Sequence, residues 1–206
     1  MRREAADVKN AHAITRDFEA ALREYTGAPY VNVVNSCTMA LRLALDRLHY
    51  LKGPQKLVLP RRTYVSVPAQ VIQAGHAIEW SDYWWEKWYA IVGSQIVDSA
   101  HWFSRDMYHG VGKGSVWCLS FHSQKPLGIE QGGAIIHDDE EAWHWYNRAR
   151  FDGRTPGVPV AQDDWSMPAR YRHHCYINPS TAALGLQRLY ALMHHDTNYP
   201  DCSEVV

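Results

Sequence analysis

The chain has 206 residues, 46% hydrophobic and 21% charged. That is ordinary globular composition, long enough to bury a core without cross-links. Lys and Arg number 21 against 22 Asp and Glu, a formal charge of −1, which argues against the basic face that general nucleic-acid binding needs. No apolar run approaches the roughly 18 residues of a membrane span. The opening MRREAADVKNAHAI has no apolar stretch of the signal-peptide kind. The expectation is a single domain over residues 1–206 in the cytoplasm, with Cys37, Cys118, Cys175 and Cys202 kept as thiols. Histidine pairs stand at 173–174 and 194–195. Neighbouring residues on a helix or strand point different ways, so such pairs rarely serve one ion, and no metal is expected.

Residues 15–26 read as an amphipathic helix with Phe18, Leu22 and Tyr25 on one face and Gly27 as its stop. A β-branched run at 30–34 predicts a strand. Ser36-Cys37-Thr38 then opens a second helix that buries Leu41, Leu45 and Leu48. Residues 57–59 form a short apolar strand ended by Pro60. A helix over 67–74 stops at Gly75, and 77–80 is the next strand. Further strands are expected at 95–97, 116–121 and 133–137. The stretch 109–115, HGVGKGS, lacks the spacing of a phosphate loop and reads as the turn before the 116 strand. Asp138-Asp139 start a helix through Phe151, ended by Gly153. Residues 154–170, with their Pro and Gly, read as a loop. Asn178-Pro179 cap a helix over 181–195, and 196–206 is a tail. The alternation implies an α/β fold with a mostly parallel sheet flanked by helices.

Such sheets bind ligands at the carboxyl ends of their strands, and three of those ends are polar. The first strand leads into Ser36, Cys37 and Thr38 at a helix start, where N–H groups and hydroxyls suit a phosphate. Ser and Thr are also ordinary helix caps. The 95–97 strand leads into Asp98 and then His101. The 116–121 strand leads into His122-Ser123-Gln124-Lys125 and a turn to Gly132-Gly133, which permit close backbone approach. A phosphate cradle, an acid and a lysine on separate strand ends together describe a pyridoxal-phosphate site. The plain alternative is a turn-capping Asp, a solvated Lys and a helix cap.

Longer motifs sharpen this. FEAALREYTGAPYVNVVNSCTMALRLAL, VLPRRTYVSVPAQVIQAGHAIEWSD, VDSAHWF, SFHSQKPLGIEQGGAIIHDDEE and STAALGLQRL occur in this order. They resemble successive motifs of the DegT/DnrJ/EryC1/StrS sugar aminotransferases, including the spacing from Lys125 to Gly132. The resemblance implies a reduced type I aminotransferase large domain without its small C-terminal domain. It also implies pyridoxal phosphate, a small amino donor such as Glu or Gln, a nucleotide sugar or similar acceptor, and a homodimer with a shared site. By the same resemblance Lys125 is the Schiff-base lysine and proton shuttle, and Asp98 the partner of the pyridine nitrogen. His101 lies near the phenolic oxygen, Tyr64 stacks on the ring, and Ser36, Cys37, Thr38 and Ser120 surround the phosphate.

The departures are equally specific. Between Asp82 and Asp98 only YWWEKWYAIVGSQIV stands where the family has a further strand and helix. Pro126 follows the lysine in place of Asn, and Gln131 replaces Glu before the double glycine. RYRHHCYIN departs from the family's pattern at His174, where His174 or Arg172 would have to replace an Asn reaching the neighbouring phosphate. Two other functions fit such a reduced chain. One is a pyridoxal-phosphate decarboxylase or lyase acting on an amino-acid-like group of a modified nucleotide or other large molecule. The other is a non-catalytic partner subunit of the same fold. The aromatic stretch at 80–89 reads as a plug over a shortened core, a subunit interface or a stacking platform.

Overall fold

The computed structural model describes residues 12–194, so His195, Cys202 and the expected tail lie outside the described residues. Helix α1 (Ala13–Thr26) buries Phe18, Leu22 and Tyr25 and ends at Gly27 with φ of 74°. Strand β1 (Tyr30–Val34) leads to α2 (Cys37–Lys52), whose cap is the Ser36 hydroxyl accepting from the Met39 N–H at 3.2 Å. Then come β2 (Lys56–Pro60), α3 (Ser66–Gln73), β3 (Ala77–Ser81), β4 (Tyr89–Ala90) and β5 (Ile96–Ser99). The chain continues through α4 (Met107–Val111), β6 (Val116–Ser120), β7 (Gly133–His137), α5 (Glu140–Ala149) and α6 (Pro179–His194). Asn178 caps α6 by accepting from the Ser180 N–H at 2.9 Å. Short 3₁₀ turns at Val160–Gln162 and Ala169–Tyr171 punctuate the loop over 154–170.

Elements β4 and α4 are additions to the sequence reading. The second occupies the glycine-bearing stretch before β6, where intrinsic helix propensity is poor. Burial of Met107 and Tyr108 holds it.

The α/β class stands, with a mixed sheet in place of the mostly parallel one expected. Five strands run in the order β1-β7-β6-β5-β4, and β2 pairs with β3 beside them. The pairs β5·β6 and β2·β3 are parallel, while β1·β7, β6·β7 and β4·β5 are antiparallel. A parallel pair needs a long crossover. Residues 121–132, which join β6 to β7, hold the lysine turn rather than a helix.

Residues 83–92 take the place of the further strand and helix implied by the resemblance. Tyr89 pairs with Asp98 and Ala90 with Val97, around a turn at Gly93 and Ser94. Val92 and Val58 exchange backbone hydrogen bonds at 2.9 and 3.2 Å, which stitches β2-β3 to the larger sheet. The aromatic stretch divides accordingly. Tyr83 and Trp85 pack on the core, as a plug would, while Trp84 is 67% exposed.

Apolar side chains fill both faces of the sheet. One cluster joins α2, β2 and α3, and the other joins α1 and α6. A Cβ on Gly185 would lie 2.6 Å from the Phe18 ring, so α6 can cross α1 there only as glycine. At the outer edge of β1, the Val33 N–H donates to Glu19 at 2.9 Å and Arg150 donates to the Val33 carbonyl. Arg150 also pairs with Glu19 at 2.5 Å, so a buried ion pair seals that edge.

Candidate active site

The carboxyl ends of β5 and β6, the N-terminus of α2 and the start of α3 converge on one cavity of about 280 Å³. Its lining includes Ser36, Cys37, Thr38, Tyr64, Asp98, His101, Ser120 and Lys125, all singled out in the sequence.

Asp98 lies one residue before the end of β5 and is buried. Its Oδ1 accepts from the Ala100 N–H at 3.0 Å, and its Oδ2 accepts from the Tyr89 hydroxyl at 2.7 Å. Loss of hydration pushes its carboxyl above the usual range. The hydrogen bonds from Tyr89 and Ala100 and the charge of Lys125 pull it back.

Lys125 sits in the turn after β6, its N–H donating to the His122 carbonyl at 2.8 Å. Its Nζ lies 3.1 Å from His101 Nε2. The Trp85 ring meets His101 edge-on, with centroids 5.7 Å apart, and so limits that imidazole's freedom. Trp85 is itself pinned by donating from Nε1 to the Arg62 carbonyl at 2.6 Å.

The cradle is built by close packing. A Cβ on Gly133 would stand 2.5 Å from the Cys37 nitrogen and 2.6 Å from the Ser36 carbonyl carbon. Only glycine lets β7 run this close beneath the first turn of α2. Thr38 and Ser66 hydroxyls meet at 3.0 Å across α2 and α3. Together with Ser36 and Ser120 they give the unpaired N–H groups of that helix start a hydroxyl-rich surround suited to an anion. Burial pushes the Cys37 thiol well up, with Asp98 and Cys118 adding to the rise. Cys37 is therefore a neutral, buried member of the cradle. Tyr64 stands at the mouth, 71% exposed, with a ring face open to a flat ligand.

Sequence reasoning gave no role to Tyr89, Thr63 and Ser66, nor to the lining side chains His122, Gln124 and Gln131, which it had only noted in passing. A signal for Tyr89 existed: it and Asp98 are equidistant from the Gly93-Ser94 pair in a run of strand formers. Arg172 and His174 do not join the cavity. Arg172 donates to the Met167 and Trp165 carbonyls, and His174 bonds Asp152 at 2.8 Å. His173 turns instead to Asp46, at 2.7 Å.

The family model of the DegT/DnrJ/EryC1/StrS aminotransferase family matches residues 7–88 and 94–197. The chain belongs to this family. The gap in the match, residues 89–93, covers β4 and the start of the turn that leads to β5. No curated protein matches significantly. Among solved structures, the sugar aminotransferase CalS13 from Micromonospora echinospora superposes with a TM-score of 0.71 at 19% identity, over 88% of this chain and 61% of that one. PseC of Helicobacter pylori, an aminotransferase of pseudoaminic acid biosynthesis, gives 0.69 at 18% identity, over 86% and 57%. NtdA of Bacillus subtilis, solved with bound PMP cofactor, gives 0.65 at 18% identity, over 87% and 48%. The chain thus spans about half to three-fifths of the length of these structures, and shares their fold.

Proposed function

We propose that this chain is a pyridoxal-phosphate enzyme of aminotransferase type. It moves an amino group from a small amino-acid donor such as Glu or Gln to a keto group on a nucleotide sugar or similar acceptor. The supporting observation is the single cavity that gathers Lys125, Asp98, His101 and the hydroxyl-lined start of α2.

The residues fit the cofactor group by group. The α2 N-terminus with Ser36, Thr38, Ser66 and Ser120 suits a phosphate dianion. The buried Asp98 carboxylate suits a protonated ring nitrogen, and Tyr64 offers a flat face. When bound, pyridoxal phosphate supplies an electron sink for cleavage of a bond to the amino-bearing carbon. Lys125 would hold it through Nζ, and its amine would carry a proton to and from the substrate carbon. His101, 3.1 Å from that Nζ, orients the amine and shares its proton. Asp98, as a carboxylate, would keep a proton on the ring nitrogen.

Among the described residues no helix is long and apolar enough to cross a membrane. Cys37, Cys118 and Cys175 are free and buried, in keeping with the reducing cytoplasm. The exposed side chains Tyr64, which lines the cavity, Val65 and Trp84 favour a homodimer that covers them.

The deciding experiment is the visible spectrum of the protein with pyridoxal phosphate, wild type beside Lys125→Ala. A violet-absorbing band that borohydride fixes to the chain in the wild type alone is the expected result. L-glutamate should then convert that band to the pyridoxamine form. No band in folded wild type overturns the proposal.

A further inference from the structure

Asp98 is a buried acid whose immediate hydrogen-bond donors are neutral. Loss of water pushes its carboxyl up, and the titratable groups around it do little to reverse this. Cys37 and Cys118 face it as thiols that burial holds protonated. Tyr83 faces it as a phenol pushed up to about 12. The positive charge of Lys125 lowers the Asp98 carboxyl, by less than the two hydrogen bonds do. The Tyr89 hydroxyl and the Ala100 N–H remain.

Tyr89 is well built for this task. It is buried on β4, directly opposite Asp98 in the strand register. Its hydroxyl has one proton, and that proton goes to Asp98 Oδ2 at 2.7 Å. The Thr63 hydroxyl, 2.6 Å away, must therefore donate to the Tyr89 oxygen. The result is a directed chain, Thr63 to Tyr89 to Asp98, in which each bond polarises the next. Trp85 packs against the Tyr89 ring at 4.9 Å and fixes its plane.

We propose that Tyr89, backed by Thr63, is the positioning residue for Asp98: its hydroxyl keeps the carboxylate ionised and turned into the cavity. This deepens the cofactor reading above, and rests on it only for what the carboxylate then meets. In a dry site a carboxylate beside a protonated ring nitrogen can take that proton, leaving a neutral acid and a neutral ring. A phenol donating to the carboxylate favours the ionic pair over the neutral one, because a hydrogen bond to a charged acceptor is the stronger of the two. The proton then stays on the ring nitrogen, where it draws electrons.

The test uses Tyr89→Phe, which deletes one oxygen and keeps the ring against Trp85, and Thr63→Val as a milder second variant. Carbon-13 carboxyl NMR of the cofactor-free protein follows the titration of Asp98. Its midpoint should move to higher pH in Tyr89→Phe, and by less in the same direction in Thr63→Val. With pyridoxal phosphate labelled with nitrogen-15 in the ring, the wild-type signal should be that of a protonated nitrogen. Tyr89→Phe should shift it toward the unprotonated position and bind the cofactor about tenfold more weakly. An Asp98 titration that both variants leave unmoved overturns the proposal. If wild type binds no cofactor while the Asp98 titration responds as expected, the positioning role stands and the cofactor reading falls. If cofactor binds and neither signal moves, the reverse holds.

Discussion

Two buried carboxylates mark opposite ends of one five-stranded sheet, and the fold treats them differently. Glu19 lies over the outer edge of β1 and receives a full cation, Arg150, together with the Val33 N–H. Asp98 lies on β5 beside β4 and receives two neutral donors, Tyr89 and Ala100. The first arrangement leaves the acid committed: its charge is cancelled within the core, and Oε1 takes both Arg150 and the Val33 N–H. The second leaves an acid with its charge uncancelled by its hydrogen-bond donors and facing a cavity. Burial alone therefore does not distinguish a structural acid from a functional one. The kind of donor does.

The largest effect should come from breaking the structural pair. Arg150→Met strands Glu19 in the core and should cost about 3–5 kcal/mol of folding free energy, read by urea denaturation. Adding Glu19→Leu should recover much of that loss. If the single variant is as stable as wild type, the edge is not held as described.

The same side of the sheet holds His137, whose Nε2 donates to Asn32 at 3.1 Å while Nδ1 accepts from the Asp139 N–H at 3.3 Å. Burial lowers its pKa to about 4. Between about pH 6.5 and 4 the unfolded chain takes up the histidine proton first, so stability falls as pH falls. The loss should total roughly 3 kcal/mol by pH 4. Melting curves across that window should show it, and His137→Asn should flatten the slope.

Asp98→Asn should act the other way. A carboxyl raised by burial is easier to fold protonated, so its contribution is present below its unfolded pKa and is lost as pH rises through the raised midpoint. The amide should thus cost less than about 1 kcal/mol at neutral pH, or stabilise. It should still weaken cofactor binding, which equilibrium titration would read. A collapse in stability would make Asp98 a structural acid like Glu19. Smallest of all, Trp84→Ala should change stability by within about 0.5 kcal/mol, because the ring is mostly exposed. A larger change in sedimentation than in melting would mark that ring as a subunit contact.

Much of the fold was legible because its long elements carry strong local signals. The strands at Tyr30–Val34 and Gly133–His137 fall at the expected residues. Helix α1 follows the spacing of Phe18, Leu22 and Tyr25 to its glycine stop. Ser36, Cys37, Thr38, Asp98 and Lys125 of the cavity lining were legible because they follow strands or start a helix, places that periodicity locates, whereas Tyr64 and Ser120 came from the family resemblance. Strand direction was not, since pairing across the sheet is a tertiary choice. Partnerships distant in sequence were hidden for the same reason. Arg150 and Glu19 lie 131 positions apart, and a lone Glu on an amphipathic helix reads as solvated. Tyr89 was masked by its surroundings: in a run of Trp and Tyr, only its placement about the Gly93-Ser94 turn sets it opposite Asp98. The two-residue strand β4 is also too short to have a period.

The sealed edge of β1 gives the sheet a direction of growth. An added strand needs a free row of N–H and C=O groups. At β1 the Val33 pair is taken by Glu19 and Arg150, and beyond it Val34 bridges to Tyr176. At the far side, β4 passes its pairing through Val92 to β2, and β3 becomes the outermost strand. There the Lys56–Glu79 ion pair, at 2.6 Å, sets charges along the rim. Any strand joining this molecule, whether from a sister chain or an aggregating neighbour, must come to β3 and accommodate those charges.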